Sequence, residues 1–171
     1  VLNHLKVDYA VLGVEETDSG DIARRAGNEM LYQMQALMNI EVLNGYEVKN
    51  IITCDPHDFN TLKNEYPDFG GKYNVIHHTQ FLQLKISGGN LKMDSDVFAG
   101  KKITFHDPCY LGRCNSEYDA PRSVLGNLSA VNIEMERNKS FALCCGAGGG
   151  QMFKEAEKGN KEVFMERTEE A

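Results

Sequence analysis

The chain has 171 residues, 42% of them hydrophobic, and a formal net charge of -7. This composition is typical of one globular domain, or of two small halves that share a core, and excludes a disordered or fibrous chain. Because a nucleic-acid backbone and an anionic membrane surface would both repel the chain, neither is expected as a direct partner.

The sequence contains no apolar run near the roughly 18 residues of a membrane span and no basic-then-apolar signal peptide. Its five cysteines include an adjacent pair and form no regular secreted framework, which favours reduced thiols over disulfides. We therefore expect a cytoplasmic protein without membrane insertion. The start at Val1, directly before a predicted strand, favours a fragment of a longer protein.

In the first half, short apolar runs predict buried strands, and apolar residues at three- and four-residue steps predict a long helix with a Met-rich face towards the core. The predicted elements are strand 7–14, helix 21–43, strand 48–53, helix 60–66, strand 73–76 and helix 79–86. Polar turns follow the first two strands. In parallel sheets, such loops at the carboxyl ends of strands are where ligands usually bind.

The second half has a similar organisation after a linker rich in glycine, serine and aspartate, residues 87–101. Its predicted elements are strand 102–105, helix 121–128, strand 131–135 and a last helix that contains Glu155, Lys158, Glu162 and Glu166. The halves share no convincing letter-by-letter repeat. We predict an α/β protein with two pseudo-equivalent halves, 1–86 and 102–171, whose short parallel sheets are flanked by helices and whose ligand-bearing turns meet at a shared cleft.

Two motifs in the second half carry most of the candidate chemistry. The first, HDPCYLGR, contains Cys109, and 34 residues separate it from Cys144 and Cys145, which open the run CCGAGGG. Thiolates are soft ligands, and glycine lets the backbone approach inorganic sulfide closely, so the pattern is typical of a metal cluster. The alternative is three buried, inert thiols.

These motifs, together with the first-half stretches PHDFNTLKNEYP and HHTQFL, resemble the cysteine-rich CCG-domain proteins, the family that contains heterodisulfide reductase subunits and their iron-sulfur oxidoreductase relatives. The resemblance covers about residues 11–171. It implies two related α/β halves, each holding a cluster or metal through cysteines. In the heterodisulfide reductase relatives, a noncubane four-iron four-sulfur cluster is held by one Cys, a CC pair and a downstream C-x-x-C.

Carried over by position, the ligands in this chain are Cys109, Cys144 and Cys145. The downstream C-x-x-C is absent, so the resemblance implies a second half that stops short of that pair and holds only part of the site.

The first half departs from the family pattern at three positions. Where family members usually carry cysteines, in E-E-x-C-x-G-D and C-P-H-C-F-N-T, this chain has Asp18, Asp55 and Asp58. Carboxylates favour hard cations and are poor cluster ligands, so we expect no cluster here but a candidate site for a hard divalent ion. If the three converge, repulsion should raise at least one pKa unless Arg24, Arg25 or His57 compensates. The alternative is three solvated turn acids at helix N-termini.

Other candidate residues are weaker. Cys54 and Cys114 lie beside motif positions and are interpreted as spectators. Four histidines near turns could ligate metal or relay protons, although such side chains more often bind backbone groups: His57, His77, His78 and His106. The glycine run lacks the Lys-Ser/Thr of a phosphate-binding loop, which argues against nucleotide binding.

The resemblance implies an electron-transfer protein that uses a cysteine-ligated cluster to pass electrons between a redox partner, either a flavoprotein or another iron-sulfur protein, and a thiol, disulfide or other acceptor. The competing hypothesis is a zinc-binding or cofactor-free structural module, in which Cys109, Cys144, Cys145 and His106 form a tetrahedral site.

Overall fold

The structure is a computed structural model that describes residues 1–93, 95–156 and 158–171. Its helices in chain order are α1 (Asp21–Arg25), α2 (Glu29–Gly45), α3 (Pro56–Asn60), α4 (His78–Ser87), α5 (Cys109–Gly112), α6 (Asp119–Gly126) and α7 (Val163–Glu170). Its strands are β1 (Asn50–Thr53), β2 (Asn74–His77), β3 (Lys102–Ile103) and β4 (Val131–Asn132). A π-helical turn, Thr61–Glu65, and a 3-10 turn, Tyr66–Phe69, continue α3. None of the helices in the described residues is long and apolar enough to cross a membrane.

Each half contains a two-stranded parallel sheet. In the first, β1 pairs with β2 from Asn50 opposite Asn74 to Thr53 opposite His77. In the second, Lys102 pairs with Val131 and Ile103 with Asn132. Parallel neighbours require a crossover, and α3 and α6 lie in the two crossovers. The predicted α/β class with short parallel sheets is therefore confirmed.

The hydrophobic core joins the two halves. One cluster packs α2 against the turn after α3 through Tyr32, Ala36, Ile40 and Tyr66. A second cluster combines Phe59 and Val75 of the first half with Leu111 of α5. In addition, α4 packs against α6, and α3 packs against α5. These contacts place the start of α3 beside the start of α5.

The prediction of a Met-rich core face is wrong. The exposed fractions of Met30, Met34 and Met38 are 75%, 52% and 59%. The buried stripe of α2 is instead formed by residues at three- and four-residue steps in another phase, Tyr32, Ala36, Asn39, Ile40 and Leu43. Periodicity recognises an amphipathic helix but cannot choose between two apolar stripes, because the packing partner decides which one is buried.

Several predicted boundaries also change. Residues 7–14 form no strand, and the only regular turn there is the 3-10 segment Gly13–Glu15. The predicted helix 21–43 is broken at residues 26–28, where Gly27 has a φ of +85°. The last helix, α7, excludes Glu155 and Lys158. Residue 94 of the predicted linker and residue 157 before α7 lie outside the described residues, and a 3-10 turn occupies Ser95–Phe98.

Candidate functional site

The turns of both halves line one open cavity of about 670 Å³. Its wall includes all six residues singled out by the sequence: Asp18, Asp55, Asp58, Cys109, Cys144 and Cys145. The predicted meeting of the ligand-bearing turns at a shared cleft is confirmed.

Cys109 begins α5 at the end of the turn that follows β3. Its half-buried sulfur accepts a hydrogen bond from Nη2 of Arg113 at 2.7 Å. The preceding Asp107 is 2% exposed and makes a paired contact with Arg122, at 2.7 and 2.8 Å. Asp107 also accepts from the backbone N–H of Lys139 at 2.7 Å. This buried carboxylate fastens the Cys109 turn to α6 and to the segment that leads to the cysteine pair.

Cys144 and Cys145 are both exposed at the cavity. Their sulfurs accept backbone hydrogen bonds from the N–H groups of Gly146, at 3.3 Å, and Ala147, at 3.5 Å. Together with the Arg113 contact, each of the three sulfurs has an N–H donor. Such donors favour the thiolate form and tune the potential of thiolate-bound clusters.

The glycine run after the cysteine pair allows close contact with the first half. A Cβ on Gly148 would lie 2.9 Å from Cε1 of His57, and one on Gly149 would lie 3.3 Å from Cβ of Arg25. Gly149 and Gly150 also have φ angles of +67° and +75°. Glycine is therefore required here by backbone conformation and by the approach of α1 and α3, which agrees with the argument against a nucleotide loop.

The three aspartates converge, and each has a local hydrogen-bonding role. Oδ1 of Asp18 accepts from the N–H of Gly20 at 2.7 Å. Asp55 is the N-cap of α3 and accepts from the N–H groups of His57 and Asp58, at 2.7 and 3.0 Å. These contacts are those expected of turn acids at helix N-termini, the alternative interpretation of their sequence positions.

Asp58 shows the effect of this convergence. It accepts from Oγ of Ser19 at 2.6 Å, a contact between the two acidic turns. Burial raises the pKa of Asp58, and repulsion from Asp55, Asp18 and Asp21 adds to this rise, whereas the Ser19 hydrogen bond opposes it. The expectation that at least one pKa would be raised is confirmed.

The expected compensating cations pair elsewhere. In the described part of the chain, no ion pair links Arg24, Arg25 or His57 to the three aspartates, so that part of the prediction is wrong. Instead, Asp21, which is 4% exposed, lies 2.7 Å from Nδ1 of His57 and 2.9 Å from Nε of Arg25.

Sequence reasoning missed Asp21. Burial by itself would raise its pKa, but the hydrogen bond and charge of His57, with the charge of Arg25, leave it lowered. The same Asp21 hydrogen bond raises the pKa of His57, and burial opposes that rise. An aspartate that opens a short helix with two arginines was the available signal, but the partner 36 residues away was not visible in it.

The other histidines have structural partners. His77 caps α4, with Nδ1 2.7 Å from Oγ1 of Thr79 and Nε2 3.1 Å from the carbonyl oxygen of Cys54. Burial lowers the pKa of His78. His106 lines the cavity, and its Nδ1 accepts from Nε of Arg167 at 2.9 Å. Cys54 and Cys114 are exposed and are not among the cavity-lining residues.

The donors fit part of a cluster site. Three thiols with N–H donors suit iron or zinc, but a noncubane cluster of the type implied by the resemblance takes five cysteines. Among residues 1–93, 95–156 and 158–171, no three Asp, Glu, His or Cys side chains are gathered closely enough to hold a metal ion. A bound group would therefore have to draw the cysteines together and take further ligands from outside this set.

Comparison with known proteins supports the same region. Residues 103–171 match the family model described as a cysteine-rich domain, CCG. The chain is 47% identical over its whole length to the "Probable iron-sulfur-binding oxidoreductase FadF" of Bacillus subtilis, of which it covers 24%. It is 48% identical over 92% of its length to the "EtfAB:quinone oxidoreductase" of Syntrophomonas wolfei, of which it covers 22%.

A third relative belongs to the dihydromethanophenazine:CoB--CoM heterodisulfide reductase of Methanosarcina barkeri, of which it is one subunit. It is 38% identical over 88% of the chain, which covers 38% of that relative. The chain thus spans about a quarter to two fifths of the length of these relatives. No solved structure matches it significantly. The resemblance to the CCG iron-sulfur oxidoreductases is confirmed.

Proposed function

Because residues 103–171 belong to the cysteine-rich CCG domain family, we propose that this chain is the thiolate-bearing part of an electron-transfer iron-sulfur oxidoreductase of the heterodisulfide reductase type. Its proposed ligands are Cys109, Cys144 and Cys145. The observation that carries the proposal is that these three sulfurs line one cavity and that each accepts an N–H hydrogen bond. A cluster bound there would accept and release electrons.

The division of labour within the chain is also a proposal. Residues 1–86 form a half whose ligand positions hold aspartates, residues 87–101 link the halves, and residues 102–171 supply the three thiolates. The remaining cluster ligands would come from outside this chain. A four-iron four-sulfur cluster of the noncubane type is the cofactor that the resemblance implies, and the three available thiolates are compatible with part of it.

The proposed partner is a redox protein, either a flavoprotein or another iron-sulfur protein. One relative is named an EtfAB:quinone oxidoreductase and another is named as part of a heterodisulfide reductase, and these names support a chain that works within a redox assembly. The proposed acceptor is a thiol, a disulfide or another small oxidant. A cytoplasmic location, where thiols stay reduced, goes with this proposal.

The test is purification of the complete protein under anaerobic conditions, followed by iron, zinc and labile-sulfide analysis and absorption and EPR spectroscopy. We expect iron and sulfide in equal amounts with a brown chromophore. Single Cys→Ser changes at Cys109, Cys144 or Cys145 should abolish or alter the EPR signal. Matched changes at the exposed Cys54 and Cys114 should leave it intact.

Two results would contradict the proposal. One zinc per chain without visible absorption would establish the structural alternative, for which His106 lies in the same cavity with Nδ1 already engaged by Arg167. A signal unaffected at Cys109, Cys144 and Cys145 but lost at Cys54 or Cys114 would show that the assigned ligands are wrong.

A further inference from the structure

Arg113 connects the two cysteine-bearing segments of the second half. It follows Cys109 by four residues, one helical turn along α5, so both side chains lie on one face. Its Nη2 donates to Sγ of Cys109 at 2.7 Å, and its Nη1 donates to the carbonyl oxygen of Ala142 at 2.9 Å. Ala142 is 3% exposed and stands two residues before Cys144. One planar guanidinium therefore contacts both segments at once.

Arg113 also brings a permanent positive charge to the thiols, because a guanidinium stays protonated at any ordinary pH. The hydrogen bond to Cys109 raises the pKa of Arg113 further, and the nearby Cys144 sulfur contributes to the same direction of shift, whereas burial opposes it. A lysine would keep the charge but could not reproduce a forked contact with two acceptors. The geometric and electrostatic contributions of this side chain can therefore be separated by substitution.

We propose that Arg113 is a positioning residue of the thiolate site, which holds Cys109 and the Cys144–Cys145 loop together before a cluster is bound and makes the potential of the bound cluster more positive. This inference rests on the proposed function. Reduction adds one negative charge to a cluster, and an adjacent cation favours that state, as do hydrogen bonds to the ligand sulfurs. The tether shortens the search for metal because the backbone of the cysteine pair is already fixed to α5.

The first measurement uses the complete protein after removal of metal with a chelator. Dibromobimane bridges neighbouring thiols, and peptide mapping gives the yield of bridges from Cys109 to Cys144 or Cys145. We expect Arg113→Gln to lower this yield several-fold, and Arg113→Lys to lower it as well, because neither side chain can make both contacts. The control Lys72→Gln, an equal charge change at an exposed position away from the cavity, should have no effect.

The second measurement is the midpoint potential of the loaded complete protein, followed by EPR. For Arg113→Gln we expect a more negative potential, by about a tenfold change in the equilibrium constant, or about 59 mV for one electron. Arg113→Lys should stay close to the unsubstituted protein, because it retains the charge. The split between a lowered bridging yield and a preserved potential in the lysine variant would not arise from a merely structural role.

Each outcome is informative. Unchanged bridging in Arg113→Gln would overturn the tether, and an unchanged potential, or an equal shift in Lys72→Gln, would overturn the electrostatic effect. If Arg113→Gln fails to fold, the lysine variant still tests both parts. Absence of iron from the unsubstituted protein would overturn the proposed function and the effect on potential with it, while the bridging yield would still decide the tether.

Discussion

The acidic turns of the first half and the cysteine turns of the second half face the same cavity but are satisfied in different ways. Asp18, Asp55 and Asp58 accept hydrogen bonds from backbone or hydroxyl groups of their own two turns. Cys144 and Cys145 remain exposed, with only long contacts from the following loop. Where carboxylates stand at ligand positions the turns close on themselves, and where thiols stand the turns keep their sulfurs accessible.

The largest effect should come from breaking the frame of the cysteine turns. Asp107→Ala removes a buried carboxylate that holds Arg122 and the N–H of Lys139, and it should lower the free energy of unfolding by about 3 kcal/mol, as expected for loss of one partner of a buried ion pair. Urea unfolding would measure it. Glu134→Ala removes the half-exposed partner of the same Arg122 and should cost much less. Equal losses in both variants would show that Asp107 has no special role.

A smaller effect should separate the acidic turns by pH. The folded-state pKa of Asp58 is raised above its ordinary value of 3.8, so its contribution to stability is fully present below that value and is lost as pH rises through the folded pKa. Asp58→Asn removes this penalty and keeps an acceptor for Ser19. The variant should therefore be more stable than the unsubstituted protein at pH 7, and this advantage should disappear near pH 3.

Unfolding free energies measured from pH 3 to pH 7 would check this prediction. The matched variant Asp68→Asn changes an acid that is not among the cavity-lining residues and should leave the pH profile unaltered. A loss of stability at pH 7 in Asp58→Asn would show that the Ser19 hydrogen bond outweighs repulsion within the acidic cluster.

The smallest effect concerns a hard divalent ion at the acidic turns. The three carboxylates line the cavity but are not gathered into a ligand group in the described residues, so we expect only weak stabilisation by calcium or magnesium. At an ion concentration equal to Kd, the gain is about 0.4 kcal/mol. Thermal melts with and without either ion, on the unsubstituted protein and on a variant with Asp18, Asp55 and Asp58 changed to Asn, would detect it. Identical melts under all four conditions would leave these acids as turn residues alone.

Much of the candidate site could be predicted because its signals are local in the chain. A strand followed by a polar turn and a helix places the turn at one end of a parallel sheet, and this placed Asp55 and Cys109 correctly at the cleft. The adjacent cysteines and the glycines that follow them are likewise a local pattern. The alternation of elements was sufficient for the α/β class and for the parallel pairing in each half.

Tertiary structure alone decided which surfaces and partners these local elements acquired. The helix pattern did not reveal that Tyr32 and Ile40, and not Met34 and Met38, face the core, because that choice depends on Tyr66 and the other residues packed against α2. The pairing of Asp21 with His57 and the tether of Arg113 to Ala142 join residues 36 and 29 positions apart. Contacts at such separations arise only when the halves pack together, so sequence patterns spanning one or two turns carry no record of them.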